Sequence, residues 1–554
     1  MRRNKLLLLV SSLGALLLLV FAAFEENVLR EWRRIQKQAR ADSGPIEVRL
    51  RQVVVPPLGI ADRCVSCHVG MAPGEQGMAG HPALRAHPDV PHDPATFGCT
   101  TCHAGQGRAT DRNDAHGDVP FWPEPMIPRR YADAGCGSCH THVQVPNLAR
   151  LQEGRRAVER AACLDCHSLD GRGGTTRPGD ATVAAKDLSR LGATGYRADW
   201  YEDHERRRAE SAADSAWRTS FGPMDAGERA AIDVVLASSV GAPRLVESKA
   251  LFHTLGCRGC HKVNGVGGDD GPDLTRVGEK DPGRLDMTRV PGRKDLADWH
   301  KEHLRAPAAL VPGSAMPALG LSEAEIDSLT HYLFSLRRSA APEAFWPKDR
   351  IRATRFGERE FATDGATLYG TFCAACHGPG GEGMRYPGLA AFPAIANPDF
   401  LSIASDEFVT ATVTHGRPGR RMPAWGDKEG GLRPAEIAEV VRHVRKLGGG
   451  VAAEPDPRPR RWAGAADGRG ARLYAMNCAL CHGPDGQGGA EGPALRNAVL
   501  LSAASDTYLA ETIRRGRRGT LMQGFATPTS VRPALEAAEV ESIVSFIRTW
   551  EDKR

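Results

Sequence analysis

The first hydrophobic stretch of the chain has no polar face at all. After Arg2, Arg3 and Lys5, positions Leu6 to Phe24 are nearly all Leu, Val, Ala and Phe. Nineteen such residues make just enough helix to cross a hydrocarbon core, and no clear A-x-A cleavage site follows. The spacing therefore predicts a retained signal anchor over residues 1–26, with a cleaved signal peptide as the alternative. Between Glu25 and Arg40, Val28, Leu29, Trp32 and Ile35 recur at helical spacing among charges, which predicts an amphipathic helix lying at the membrane interface or packed on its own domain. The alternation of Ile46, Val48 and Leu50 after Pro45 predicts a short strand. Residues 27–59 are thus a juxtamembrane helix and strand.

From residue 60 to about 150 the periodicity disappears, and the stretch is rich in Gly, Pro and His. Such a segment cannot build a core from its own side chains. From Gly154 onward helical patterns return in four units, each an amphipathic helix, a Gly/Pro-rich loop, a methionine and a closing helix. They occupy 151–241, 242–340, 363–450 and 465–554, with charged or Pro/Arg-rich linkers expected at 341–362 and 451–464. The closing helices are predicted over Gly227–Ser239, Ser322–Leu336, Pro434–Lys446 and Ala534–Trp550. Ser322 and Glu325 have the spacing of a capping box. A glycine one turn before an aromatic, Gly365 with Tyr369 and Gly470 with Tyr474, predicts close approach of the first helix to the closing helix. Trp200 and His204 in the first unit match Trp299 and His303 in the second, so these two look like a duplicated pair. The fold class is mainly α, with one transmembrane helix, an irregular segment and four small helical domains.

The chemistry lies in Cys-x-x-Cys-His, which occurs seven times. The cysteine pairs are Cys64/Cys67, Cys99/Cys102, Cys136/Cys139, Cys163/Cys166, Cys257/Cys260, Cys373/Cys376 and Cys478/Cys481, followed by His68, His103, His140, His167, His261, His377 and His482. This is the attachment pattern of c-type haem, in which two thiols form thioethers and the histidine binds iron. The motifs use all fourteen cysteines and leave none for a disulfide, zinc site, lipid anchor or nucleophile. Seven covalently bound haems are expected, and the irregular segment is a trihaem domain folded around iron. The formal charge of +5 changes sign once haem is counted, to roughly −2 oxidised and −9 reduced, so no basic nucleic-acid footprint survives. Haem is attached to such thiols outside the bacterial cytoplasmic membrane, which places the domains after Phe24 in the periplasm.

Each iron needs a distal ligand. Met224, Met316, Met422 and Met522 lie 40 to 57 residues after their motif histidines and are the candidates in the four helical units. His204 competes with Met224, and Met384 with Met422. In the trihaem segment His81, His87, His92, His116 and His142 compete for three positions, in order His92 and His116, then His81 or His87, with Met71, Met78 and Met126 as substitutes. Methionine raises the haem potential and a second imidazole gives a lower one, so a gradient running outward from the membrane is expected. Arg417, Arg420, Arg421, Arg514, Arg515, Arg517 and Arg518 cluster before two of the methionines. They either neutralise propionates or form a docking surface for an acidic partner.

The four later units resemble class I cytochrome c domains, and the last two resemble the tandem pairs of dihaem cytochromes. Asp62-Arg63-Cys64, Phe97-Gly98-Cys99, Gly105-Gln106-Gly107 and Trp122-Pro123-Glu124-Pro125 make residues 46 to 340 similar to multihaem c-type subunits found with cytochrome b in bacterial quinol oxidoreductases. That resemblance implies a cytochrome b-type membrane partner that oxidises quinol and a soluble cytochrome c or terminal reductase that accepts the electrons. With four methionines and three histidines available, no vacant iron is required, which favours electron transfer over catalysis. The alternative is a multihaem reductase or peroxidase with one open-coordination haem.

Overall fold

The computed structural model describes residues 2–43, 46–75, 77, 81–88, 90–169, 171–174, 186–189, 191, 195–197, 199–210, 224–239, 242–338 and 340–551. Met78 and the Phe221–Pro223 stretch before Met224 lie outside the described residues. Helix Arg2–Phe24 contains a 22-residue span of mean hydropathy 2.7, no part of whose most apolar window is buried in the protein. A side of leucines with no protein against it is what a membrane-crossing helix needs.

A single π-turn, Glu25–Leu29, separates this helix from a second one, Glu31–Ser43. Trp32, Gln36 and Ala39 of the second helix are buried. The Gln36 amide donates to the carbonyls of Arg49 and Ser66 and accepts from Arg49 N–H and Arg51. Of the two roles expected for Trp32, the structure shows packing on its own domain. The short strand falls later than expected. Ile46 to Leu50 is unpaired, and the hairpin is Val53–Val55 against Ile60–Asp62, because Pro56-Pro57 and Gly59 supply its turn and Val53 and Val55 its buried face.

In the helical units the first and closing helices cross where glycine removes the obstacle. A Cβ on Gly154, Gly365 or Gly470 would stand 2.1, 2.4 or 2.1 Å from the backbone oxygens of Ala231, Glu439 and Ser542. The closing helices are Ala226–Ser238, Glu323–Ser335, Pro434–Leu447 and Ala537–Arg548, and both halves of the Ser322/Glu325 capping box form. The two C-terminal domains share one apolar core, from Phe361 through to Trp550.

The charged stretch expected as a linker at 341–362 is instead built into the fold. Lys348–Phe356 is helical, Val145 pairs with Phe361, and Glu360 is buried in ion pairs with Lys249 at 2.7 Å and with Arg258. Both cations come from the 242–340 domain, more than a hundred positions away in sequence. A carboxylate with two buried cations is tolerated out of water only because it is paired.

Candidate haem centres

All seven Cys-x-x-Cys-His motifs adopt one local geometry. In each, the histidine N–H donates to the carbonyl of the first cysteine, at 2.9 to 3.0 Å. That single helical turn sets cysteines three apart and the histidine four apart on one face. The second cysteines follow the same turn: Cys139 N–H donates to the carbonyl of Cys136, and Cys481 N–H to that of Cys478, both at 3.2 Å. Cys139 Sγ also accepts from the Ser138 hydroxyl at 3.9 Å. The thiols are partly buried and free of disulfides. Burial pushes Cys67, Cys102 and Cys163 up to about 11, and Cys136, Cys257, Cys373 and Cys478 up to about 12.

The motif histidines are poised as neutral ligands. Burial lowers His68, His103, His140, His261, His377 and His482 below the ordinary imidazole value. In the four helical units Nδ1–H donates to a backbone carbonyl: Lys186 for His167 at 2.7 Å, and Pro272, Pro393 and Pro493 for His261, His377 and His482 at 2.8 Å. That bond fixes the tautomer and leaves the Nε2 lone pair for a metal.

In the trihaem segment a second imidazole stands against His103 and another against His140. His87 stands against His103 with ring centres 6.1 Å apart, and His92 against His140 at 6.0 Å. His116 is close enough to His68 to add, after burial, to the lowering of its affinity for protons. Of His81 and His87, the ring set against His103 is that of His87, whereas His81 offers its carbonyl to Leu84 N–H. His142 lies beside Thr141 Oγ1 at 2.8 Å. Among the candidates in the helical units, His204 lies against His167, with ring centres 6.1 Å apart, while Met224 is buried in its domain core. Met316 packs with Cys257 around the 242–340 core.

Met422 and Met522 line a shared cavity of about 1280 Å³ between the last two domains, together with Cys373, His377, Cys478 and His482. Met384 also lies on its wall. The cysteines of each pair divide here, with Cys373 and Cys478 on the lining. Cys376 and Cys481 stand outside the lining. Cys376 turns instead to the thiol of Cys260, and the Cys481 carbonyl closes on Gly492, where a Cβ would stand 2.7 Å from it.

The two halves are related by a local two-fold. Asn397 donates to the carbonyl of Arg518 at 2.9 Å, and Asn497, one hundred positions on, donates to the carbonyl of Pro418 at 3.2 Å. Arg445 bonds Asp406 and the carbonyls of Leu401 and Ala404, as Arg548 bonds Asp506 and those of Leu501 and Ala504. The sequence carries this repeat openly, in Leu-Ser-x-Ala-Ser-Asp at Leu401–Asp406 and again at Leu501–Asp506, a signal that the cysteine spacing alone misses.

The cavity fits haem on its own evidence. Arg417 Nη1, Arg421 Nη1 and Arg517 Nε are buried donors with no acceptor among the described residues, and all three residues stand on the cavity wall. Buried unsatisfied donors are costly, and a propionate supplies the acceptor. Arg514 pairs with Glu511, Arg515 with Glu454 and Arg518 with Asp399 at 2.8 Å, while Arg421 reaches Asp270 through its other guanidinium nitrogens.

Successive motifs also touch. The Cys64 and Cys99 thiols lie near enough to perturb each other's ionisation, as do those of Cys260 and Cys376. Cys102 and Cys136 are near enough to perturb each other's ionisation, as Cys139 perturbs that of Cys102, and Cys136 and Cys257 pack against one core. The first, second and third motifs are thus neighbours in sequence order, as are the fifth and sixth, and the cavity joins the sixth to the seventh. Nothing in the sequence announces them.

The cytochrome c family profile matches residues 245–337 and 468–551, and that of subunit III of cbb3-type cytochrome c oxidase matches 360–444. The chain is 35% identical over 179 residues to the cbb3-type cytochrome c oxidase subunit FixP of a Bradyrhizobium species, covering 30% of this chain and 57% of that protein. It is 29% identical over 196 residues to the subunit CcoP of Rhodobacter capsulatus, covering 33% of this chain and 61% of the relative. The matched region thus spans about three-fifths of these relatives' length. A chain of the Kuenenia stuttgartiensis reducing HAO-like protein complex aligns over 34% of this chain and 94% of its own, at 19% identity and a TM-score of 0.24, too low to carry an argument. The chain is thus mainly α-helical, with cytochrome c domains and an N-terminal apolar helix.

Proposed function

We propose that the chain is a heptahaem cytochrome c, anchored in the inner membrane with its domains in the periplasm, that relays electrons from a cytochrome b-type quinol-oxidising partner to a soluble cytochrome c or terminal reductase. The observation that carries this reading is the succession of contacts between motifs, from Cys64 beside Cys99 to Cys260 beside Cys376 and on into the shared C-terminal cavity.

Haem c, when bound, supplies a one-electron iron couple whose potential follows its axial ligand. The chain's own residues do the rest. The paired cysteines hold the group, Cys139 and Cys481 among them, and the motif histidines present Nε2 to it. His116, His87 and His92 serve as second imidazoles near the membrane end, and Met316, Met422 and Met522 as thioether ligands beyond. Arg417 and Arg517 balance propionate charge inside the cavity. Imidazole pairs first and thioethers later set the potentials to rise outward from the anchor.

The likeness of part of the chain to cbb3-type oxidase subunits favours a second reading, in which the recipient is a terminal oxidase. Solubilising membranes and capturing the tagged chain tests both. Co-purification of haem b with quinol-dependent reduction of the chain supports the first partner assignment. Recovery of oxygen-reducing activity without quinol oxidation supports the second, and capture of the chain alone, unreduced by quinol, overturns both.

A further inference from the structure

We infer that the haem at the Cys163–His167 motif takes His204 as its sixth ligand, not Met224, so that this domain is a bis-imidazole centre unlike the three domains that follow it. The inference rests on the reading that this motif carries haem c.

The ring centres of His167 and His204 are 6.1 Å apart and their planes are inclined by 33°. Two imidazoles that each reach one metal through a bond of about 2 Å have ring centres about 6 Å apart. The separation matches those of His87 with His103 and His92 with His140, 6.1 and 6.0 Å. Both rings also carry the hydrogen bond that prepares a ligand. His167 Nδ1–H donates to the carbonyl of Lys186 at 2.7 Å, and His204 Nδ1–H to that of Trp200 at 2.8 Å. With both Nδ1 atoms committed as donors, both Nε2 atoms hold lone pairs.

His204 is placed by its own helix, Trp200–Glu210. Trp200, one turn earlier, meets its ring edge-on at 5.1 Å and 84°, and stacks on Tyr201 at 3.8 Å, whose hydroxyl bonds Asp233 of the closing helix. The duplicated pair in the next domain diverges at this point. There His303 lies flat on Trp299, at 5.0 Å and 8°, and Met316 packs against the same core as Cys257. Met224 meanwhile has an ordinary role, buried among Ala157, Val158, Tyr201 and Ile232, as a flexible filler of an irregular core.

The test uses the full-length holoprotein. In ferric EPR, His204→Ala gains a high-spin signal equal to a single haem, and added imidazole restores the low-spin state. Met224→Leu leaves the spectrum as in the parent. An all-low-spin His204→Ala protein, or a high-spin signal from Met224→Leu, overturns the assignment. Should His204→Ala fail to fold, His204→Met keeps six ligands. It converts one bis-imidazole signature to histidine–methionine in near-infrared magnetic circular dichroism and raises one midpoint potential, and an unchanged spectrum overturns the assignment. Peptide mass spectrometry of the parent separates the two failures, since a Cys163–Cys166 peptide without haem mass removes the cofactor itself and the ligand with it.

Discussion

The rings of Phe408 and Tyr508 meet with centres 4.4 Å apart, joining equivalent positions of the two C-terminal domains across their local two-fold. The contact closes one side of the cavity that holds both motifs, so packing and cofactor environment share the same residues. Truncating Tyr508 to Ala removes one partner of a well-buried aromatic pair and is expected to cost about 3 kcal/mol. Thermal unfolding followed at the haem absorbance and by far-ultraviolet circular dichroism checks it, and an unchanged transition would show that the interface carries no stability.

Glu360→Gln is expected to destabilise the protein by about 3–5 kcal/mol, because it leaves Lys249 and Arg258 as uncompensated buried cations. Burial alone would raise the Glu360 carboxyl, but Arg258 and Lys249 outweigh it and hold the group well below the usual carboxylate range. A carboxyl depressed in the folded state contributes stability that is present above its unfolded value, about 4.3, and is lost as pH falls below it. Denaturant titrations of the parent should therefore lose stability steadily below that pH, and the variant should lose less.

Gly470→Ala places a methyl 2.1 Å from the carbonyl oxygen of Ser542, a backbone atom that cannot swing aside. The helices must separate, at a cost of about 1–3 kcal/mol. A melting temperature equal to the parent's would show that the contact yields freely.

Arg517→Leu removes a cation from the wall of the shared cavity. Positive charge beside a haem disfavours the ferric state, so the midpoint potential of a C-terminal haem should fall. Spectroelectrochemical titration reads the shift, and a rise or no change would separate Arg517 from the propionates.

His87→Ala should leave one haem of the trihaem segment high-spin, because its ring stands against His103. His81→Ala should not. Ferric EPR of the two proteins distinguishes them, and the reverse result would transfer the ligand role to His81.

The helical units were legible because their signals are local. Ser322 and Glu325 form the capping box their spacing implies, and Gly365 and Gly470 sit at the helix crossings that a glycine before an aromatic implies. The motif turns were equally plain, since two thiols and an imidazole in five residues need only one helical turn. What escaped was whatever depended on distant partners. Glu360 reads as one charge among many until Lys249 and Arg258 are brought to it. The histidine facing His103 is selected by how an irregular segment closes, and no periodicity encodes that closure. His204 and Met224 were both legible as candidates, and the sequence could not choose which of them lies beside His167.

The reciprocal bonds of Asn397 and Asn497 describe a self-complementary contact, the kind two copies of one domain make when they dimerise. Here both copies belong to one chain, so the second arrives at an effective concentration set by the short connection between them, and dilution cannot separate the pair. Tethering also frees the halves to differ. Asp399 grips Arg518 at 2.8 Å, whereas the matching positions are Val499 and Pro418. An encounter that would be second-order between separate molecules has become a permanent and asymmetric joint, with each motif assigned a fixed neighbour.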